Sequence, residues 1–343
     1  MRHEYCTLFD SNYLPRGLAL HESLREHDPD SVLRAFCMDS RAKGILDRLE
    51  LPGLLTIGLD ELEAHDPQLA AVKDDRTPVE YCWTATPAVM LAALEREPEL
   101  ESITYLDADV AFFTNPEPLF ATLGDRSVQI VPHRYAPEHA HLEATSGIYN
   151  VQWLTFRNDA PGLEVLRWWR ERCLEWCYLR MEDGKFGDQK YLDDWPERFP
   201  AVQVVQHIGA GLAPWNVGRY RIHERDRHVL VDDVPLVFYH FHSLTLFSVL
   251  SRLVPWRGEQ PRRIARGVRA PFLWTTAYDI DPAEERLIWV PYVRRLARAL
   301  RLIRSVERGF SAGVVPAGVP AKQFARRAAA AAYRRVAAVA EVR

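Results

Sequence analysis

The chain has 343 residues, 48% of them apolar, which suits one large core with an appendage and excludes a disordered chain. Its net charge of −4 hides an asymmetry: residues 1–251 carry 24 Lys+Arg against 40 Asp+Glu, residues 252–343 carry 19 against 7. The acidic body argues against a nucleic-acid partner, and no apolar run reaches transmembrane length.

The elements read as follows in chain order. Arg2 and His3 lead straight into a β-prone run, Glu4–Phe9, so the start does not read as a signal peptide. Leu14–His27 reads as a helix with Pro15 in its first turn. Val32–Met38 is a second strand, Ser40 caps a helix through Leu49, and Leu54–Leu59 is a third strand. Thr86–Glu97 reads as a helix with Pro87 near its start. Ile103–Leu106 is a fourth strand, ending on Asp107-Ala108-Asp109. Alternating strands and helices imply an α/β fold with a mostly parallel sheet, whose ligands bind beyond the carboxyl ends of the strands.

Beyond residue 115 the pattern is mixed. Val128–Val131, Ile148–Phe156, Val202–Val205 and Leu236–Phe241 read as strands, and Asp159–Leu179 as a helix. A histidine-rich loop (His133, His139, His141) separates the first two of these strands. Trp215 reads as a buried brace. In Glu284–Gly309, Trp289, Val293, Leu296, Leu300 and Ile303 recur at helical spacing, with Arg294, Arg295, Arg298, Arg301, Arg304 and Arg308 on the other faces. Residues 321–340 form a further Ala/Arg helix candidate. The expected division is a catalytic domain over 1–250 and a basic, mainly helical extension over 251–343. Two readings of that extension stand together: a solvated face on helices packed over the body, or a peripheral membrane contact with Trp289, Tyr292 and Phe310 at the interface. Cys6, Cys37, Cys82, Cys173 and Cys177 lack zinc-type pairing and read as free core thiols of a cytoplasmic protein, with the inner membrane face as its peripheral station.

Three motifs carry chemistry. Asp107 and Asp109 sit one residue apart at a strand end, between apolar runs, and a bend there brings both toward one ligand. Two hard oxygen donors suit Mg2+ or Mn2+, and with them a phosphate. Asp10-Ser11-Asn12-Tyr13 follows the first strand and offers a carboxylate and an aromatic face to a heterocyclic base; the competing reading is a helix-entry turn capped by Ser11 or Asn12. His240 and His242 close a late strand, are expected on opposite faces, and one of them is a further metal ligand.

With these motifs the chain resembles the retaining, metal-dependent glycosyltransferases of the GT-A fold, particularly glycosyltransferase family eight. The resemblance spans about residues 4–243 and implies a Rossmann-like mixed central sheet flanked by helices. It also implies a UDP-sugar donor and a glycan or lipid-linked acceptor. Asp10, Asn12 and Tyr13 match the family's uracil-binding turn, and Asp107 and Asp109 its DxD pair, with Asp107 also reaching ribose or sugar. Asn150, in Ser146-Gly147-Ile148-Tyr149-Asn150, matches a donor-sugar contact. Asp188 and Gln189 match the pair beside the transferred sugar, although Gly187-Asp188 also fits a cap on a helix over Gln189–Trp195. His240 matches the third metal ligand, with His242 as the fallback. Two family cations are missing: an Arg on the helix before the DxD strand, where Trp83-Thr84-Ala85-Thr86-Pro87 stands, and a Lys after the metal His. Metal, backbone amides or Lys185 are the expected substitutes. Two further readings compete. A haloacid-dehalogenase-like phosphatase would use Asp107 as nucleophile and Asp109 as acid/base. A non-catalytic relative would bind the nucleotide sugar without turnover.

Overall fold

The computed structural model describes residues 2–248 and 272–315. Seven strands form the central sheet: β1 (Glu4–Phe9), β2 (Val32–Cys37), β3 (Leu54–Gly58), β4 (Ser102–Leu106), β6 (Val128–Pro132), β7 (Tyr149–Arg157) and β8 (Val202–Val204). Their order is β3-β2-β1-β4-β7-β6-β8. β7 runs antiparallel to both neighbours, and the other pairings are parallel. This is the Rossmann-like mixed sheet that the resemblance implied. Its topology sets one functional edge. The carboxyl ends of β1, β4 and β6 and the start of antiparallel β7 all lie there, bringing Asp10, Asp107, His133 and Asn150 to the same side.

Helices cover both faces. α1 (Leu14–His27) begins at Tyr13 with Pro15 in its first turn, and α2 (Ser40–Leu49) is capped by Asp39, which accepts from Ala42 N at 2.7 Å. The helix expected over Thr86–Glu97 spans Pro78–Arg96. Thr77 and Glu80 form a capping box and Pro78 takes the first turn, so Pro87 lies inside the helix. The helix Ala160–Glu175 stops short of Leu179. The strand expected over Leu236–Phe241 shortens to β12 (Phe238–His240), and a separate two-residue strand, β11 (Val234–Pro235), precedes it. β11 closes a three-stranded sheet with β9 (Ile222–Arg225) and β10 (His228–Val231), whereas β12 pairs antiparallel with β5 (Val110–Phe112).

The described part of the basic segment shares a core with the body. β13 (Thr245–Ser248) pairs with β14 (Phe272–Thr275) and β15 (Val314–Val315), and the helix Val290–Val306 packs on α1. Trp289, Tyr292, Val293, Leu296, Leu300, Ile303 and Phe310 join one apolar cluster with Leu14 and Leu18 of α1. This corrects the membrane reading: Trp289, Tyr292 and Phe310 are at most 1% exposed and anchor the core. The arginines behind them find acids on the body. Arg295 pairs with Glu26 at 2.5 Å and Arg298 with Glu22 at 2.7 Å, and in the opposite sense Glu307 of the segment pairs with Arg48 of α2 at 3.4 Å. No helix of the described residues is long and apolar enough to cross a membrane. The Ala/Arg helix candidate over 321–340 lies outside the described residues.

Glu284 ties this segment to the sheet that carries His240. One of its carboxylate oxygens, Oε1, accepts from both Tyr239 Oη and Trp289 Nε1, each at 2.7 Å. Burial, above all, lifts its pKa from 4.5 to about 7. The folded protein therefore holds a proton that the unfolded chain releases, and stability falls as pH rises from about 4.5 to about 7. Glu284→Gln keeps the acceptor without the charge. Chemical denaturation at pH 5 and pH 8 is expected to show the variant gaining on the wild type by about 1–3 kcal/mol at the higher pH. An identical pH dependence in the two proteins would contradict the assignment.

Candidate metal centre

The strand β4 delivers Asp107 into a tight turn. Val110 N donates to Asp107 O at 3.2 Å, reversing the chain through Ala108 and Asp109 into β5. β5 then pairs with β12 so that His240 lies opposite Val110, and Phe241 N donates to Asp109 O at 2.9 Å. The result is local: one turn and one cross-strand pair assemble Asp107, Asp109 and His240. One ligand atom from each lies within 4.8 Å of the others, the one such group of His, Cys, Asp or Glu among the described residues. His240 Nε2 is 3.1 Å from Asp109 Oδ1 and 3.8 Å from Asp107 Oδ2.

His242 is not on the opposite face. Residues two apart in an extended chain share a face, and both imidazoles lie edge-on to Trp215, with centroids 5.2 and 5.5 Å from its ring. His242 is solvent-exposed and outside the cluster, which leaves His240 as the ligand candidate. Trp215 is buried, as expected of a brace, and donates to His133 O.

The three groups perturb one another. Burial pushes Asp107 up to about 6, and the charge of Asp109 adds to this. Burial acts on Asp109 in the same sense, but His240, then Arg16, hold it down to about 2. The two aspartates in turn raise His240 against the effect of its burial. A divalent cation among these groups would be favoured by the charge of the two carboxylates. Two carboxylates and an imidazole form a donor set that accepts Mn2+ readily and Mg2+ less so, and His240 Nε2 is the ring nitrogen that faces both carboxylates.

The turn after β1 lies beside this cluster. Asp10 Oδ1 accepts from Asn12 N at 2.9 Å and Tyr13 N at 3.1 Å, and Asp10 Oδ2 from Asn12 Nδ2 at 2.7 Å. Ser11 is instead tied to Asp39, so neither Ser11 nor Asn12 caps α1. Asn12 and Tyr13 are exposed, and Tyr13 lies within electrostatic reach of both cluster aspartates. Gly313 closes the far side: its N–H donates to Asn12 Oδ1 at 3.3 Å, and a Cβ there would sit 2.0 Å from Asn12 O. With φ at +73°, this position takes glycine on both counts.

Asn150 and Gln189 meet across the sheet edge. Asn150 Nδ2 donates to Gln189 Oε1 at 3.2 Å and to His133 Nε2 at 2.9 Å, while Asn150 Oδ1 accepts from Gln152 N at 2.8 Å. An amide nitrogen only donates, so His133 is neutral with its proton on Nδ1. Burial, first, drives its pKa down to about 3 and agrees with that form. Gln189 Nε2 donates to Ser146 O at 2.7 Å, which completes the chain. Asp188 precedes a short 3-10 helix, Gln189–Asp194, without capping it. It is 3% exposed, its Oδ2 has no partner, and burial followed by the charge of Asp107 lifts it to about 7. The sequence reading assigned no role to His133 or Arg16. His133 stood out only as one of three loop histidines, and Arg16 did not stand out at all.

Fold and site together define a mixed α/β protein with an Asp-Asp-His cluster at one edge of its central sheet. No family model matches the chain. The chain is 30% identical over 315 residues to YfnD of Bacillus subtilis (strain 168), covering 91% of this chain and 94% of that protein. It is 36% identical over 256 residues to YfnF of the same organism, covering 73% and 84%. It belongs to the family of these two proteins, both described as uncharacterized. Solved structures similar to it include mouse xyloside xylosyltransferase 1, with 12% identity, a TM-score of 0.45 and coverage of 71% and 98%. Another is the galactosyltransferase LgtC with donor and acceptor sugar analogs, with 15% identity, a TM-score of 0.44 and coverage of 70% and 87%.

Proposed function

We propose that the chain is a metal-dependent glycosyltransferase that moves a hexose from a UDP-sugar to a glycan or lipid-linked acceptor with retention of configuration. The observation that carries this reading is the convergence of Asp107, Asp109 and His240 within 4.8 Å, beside the exposed Asn12 and Tyr13. Asp107, Asp109 and His240 would hold Mn2+ or Mg2+, which as a Lewis acid stabilises a diphosphate leaving group. Tyr13 offers its ring to a base, and Asp10 and Asn12 offer hydrogen bonds to its edge. Asn150 and Gln189, their amides fixed by His133 and Ser146, orient the donor sugar. Asp188 presents a buried carboxyl toward the same space, where its charged form favours positive charge on the sugar carbon. Retention rests on the family resemblance. Five unpaired thiols fit a reducing, cytoplasmic setting.

The phosphatase reading loses its remaining support. It needs a further acid pair near Asp107, and its weak candidate, Asp232-Asp233, lies in the β10–β11 turn, where Asp232 accepts from Arg221 N. A thermal-shift panel of UDP-, GDP-, ADP- and dTDP-sugars, with and without Mn2+, tests the proposal. Stabilisation confined to UDP species and dependent on Mn2+ is expected. No response to any nucleotide would defeat it, and binding without donor hydrolysis or transfer would favour the non-catalytic relative.

A further inference from the structure

Arg16 is 5% exposed, and among the described residues no carboxylate lies within 4.0 Å of it. Arg34, Arg170 and Arg295 are matched by acids, Arg34 by Glu4 and Glu97, Arg170 by Asp66 and Arg295 by Glu22 and Glu26, whereas the part-buried Arg134, far from the Asp107–Asp109 turn in sequence, meets three carbonyls. Arg16 has only carbonyls and a ring. Its Nη2 donates to Leu244 O at 2.7 Å and its Nη1 to Asn12 O at 3.4 Å, and its Cζ lies 4.5 Å from the Tyr13 ring centroid. A buried guanidinium held this way has no carboxylate in direct contact, only the charge of Asp109 at longer range, and an anion placed against it would be stabilised. Two carbonyl bonds also leave the rest of its five N–H donors for further acceptors.

Its place is specific. Asn12 belongs to the turn proposed to hold the base, and Leu244 lies four residues beyond His240, where the family's lysine is missing. Arg16 therefore bridges the two segments between which a diphosphate would run, and its charge reaches Asp109. The expected substitute cation is engaged elsewhere: Lys185 Nζ lies 5.2 Å over the Trp176 ring. Lys190, close to Gln189 in sequence, pairs with Asp193.

We propose that Arg16 supplies the positive charge that binds the donor's diphosphate, in place of the absent arginine and lysine. This rests on the UDP-sugar reading of the same site. The test is calorimetric titration with uridine, UMP and UDP, in Mn2+ and separately in EDTA, on wild type, Arg16→Gln and Arg16→Lys. Glutamine keeps a donor for Leu244 O without the charge, and lysine keeps the charge without the fork. Uridine is expected to bind all three proteins within about twofold. UDP should bind Arg16→Gln about 10- to 100-fold more weakly than wild type, in EDTA as well as in Mn2+, with Arg16→Lys between them. Unchanged UDP affinity in Arg16→Gln would overturn the proposal and leave the UDP-sugar reading intact. Equal losses for uridine and UDP would also overturn it, by showing that Arg16 only braces the Asn12 turn. Should Arg16→Gln not fold, Arg16→Lys decides: UDP binding reduced to the level of uridine, with the charge still present, would overturn it. A wild type that binds neither uridine nor UDP would defeat both readings together.

Discussion

Asp109→Ala is expected to abolish Mn2+-dependent stabilisation by UDP and to lower donor turnover by at least about 100-fold. The reason lies in the geometry of one turn. Asp109 is the carboxylate nearest His240, at 3.1 Å, and the most strongly ionised member of the cluster. Removing it leaves one part-buried carboxylate, Asp107, and an imidazole 3.8 Å from it. That one remaining pair does not offer the charge that a divalent ion needs. Uridine affinity should change little, because the Asp10–Tyr13 turn makes its hydrogen bonds without Asp109. Calorimetry with Mn2+ and UDP checks the first effect, and uridine alone checks the second.

Asp188→Asn is expected to separate chemistry from binding. Turnover should fall by about 100- to 1,000-fold while UDP affinity in Mn2+ stays within about twofold. The same substitution should stabilise the protein. Asp188 is buried, its Oδ2 has no partner, and its folded pKa stands near 7 against an ordinary 3.8. An acid with a raised folded pKa costs stability as pH rises from the unfolded value through the folded one. The penalty is therefore full above about pH 7, and asparagine removes it. Denaturation at pH 8 is expected to show a gain of about 1–3 kcal/mol for Asp188→Asn, shrinking toward pH 4. A stabilised but inactive variant is the signature of a residue kept for chemistry at a cost to the fold. Loss of stability together with activity would make Asp188 structural.

Local rules carried the sequence reading where local physics decided the outcome. β1 and α1 have the expected limits because an apolar run, a polar turn and a first-turn proline are all near neighbours. Asp107 and Asp109 were legible for the same reason, since one turn after one strand aims both. Pro87 misled because a proline usually marks a helix start; here the Thr77–Glu80 box and Pro78 mark it nine residues earlier. The error over His240 and His242 was one of strand periodicity. Long-range partners were out of reach: Arg16 meets Leu244, and His133 meets Asn150, only once the sheet is assembled. The basic segment misled through its aromatics, which are as suited to a core as to a membrane interface. What decided was the apolar surface of α1 beneath them and the acids Glu22 and Glu26 opposite their arginines.

The Asp107–Asp109–His240 cluster is proposed to anchor the diphosphate of a sugar donor. Its most direct test is product release from a panel of UDP-hexoses incubated with the protein and Mn2+, with free UDP quantified. UDP release from at least one donor, lost in EDTA and in Asp109→Ala, is expected. The contradicting result is release of inorganic phosphate from simple phosphomonoesters, abolished by Asp107→Asn, with no UDP formed from any donor.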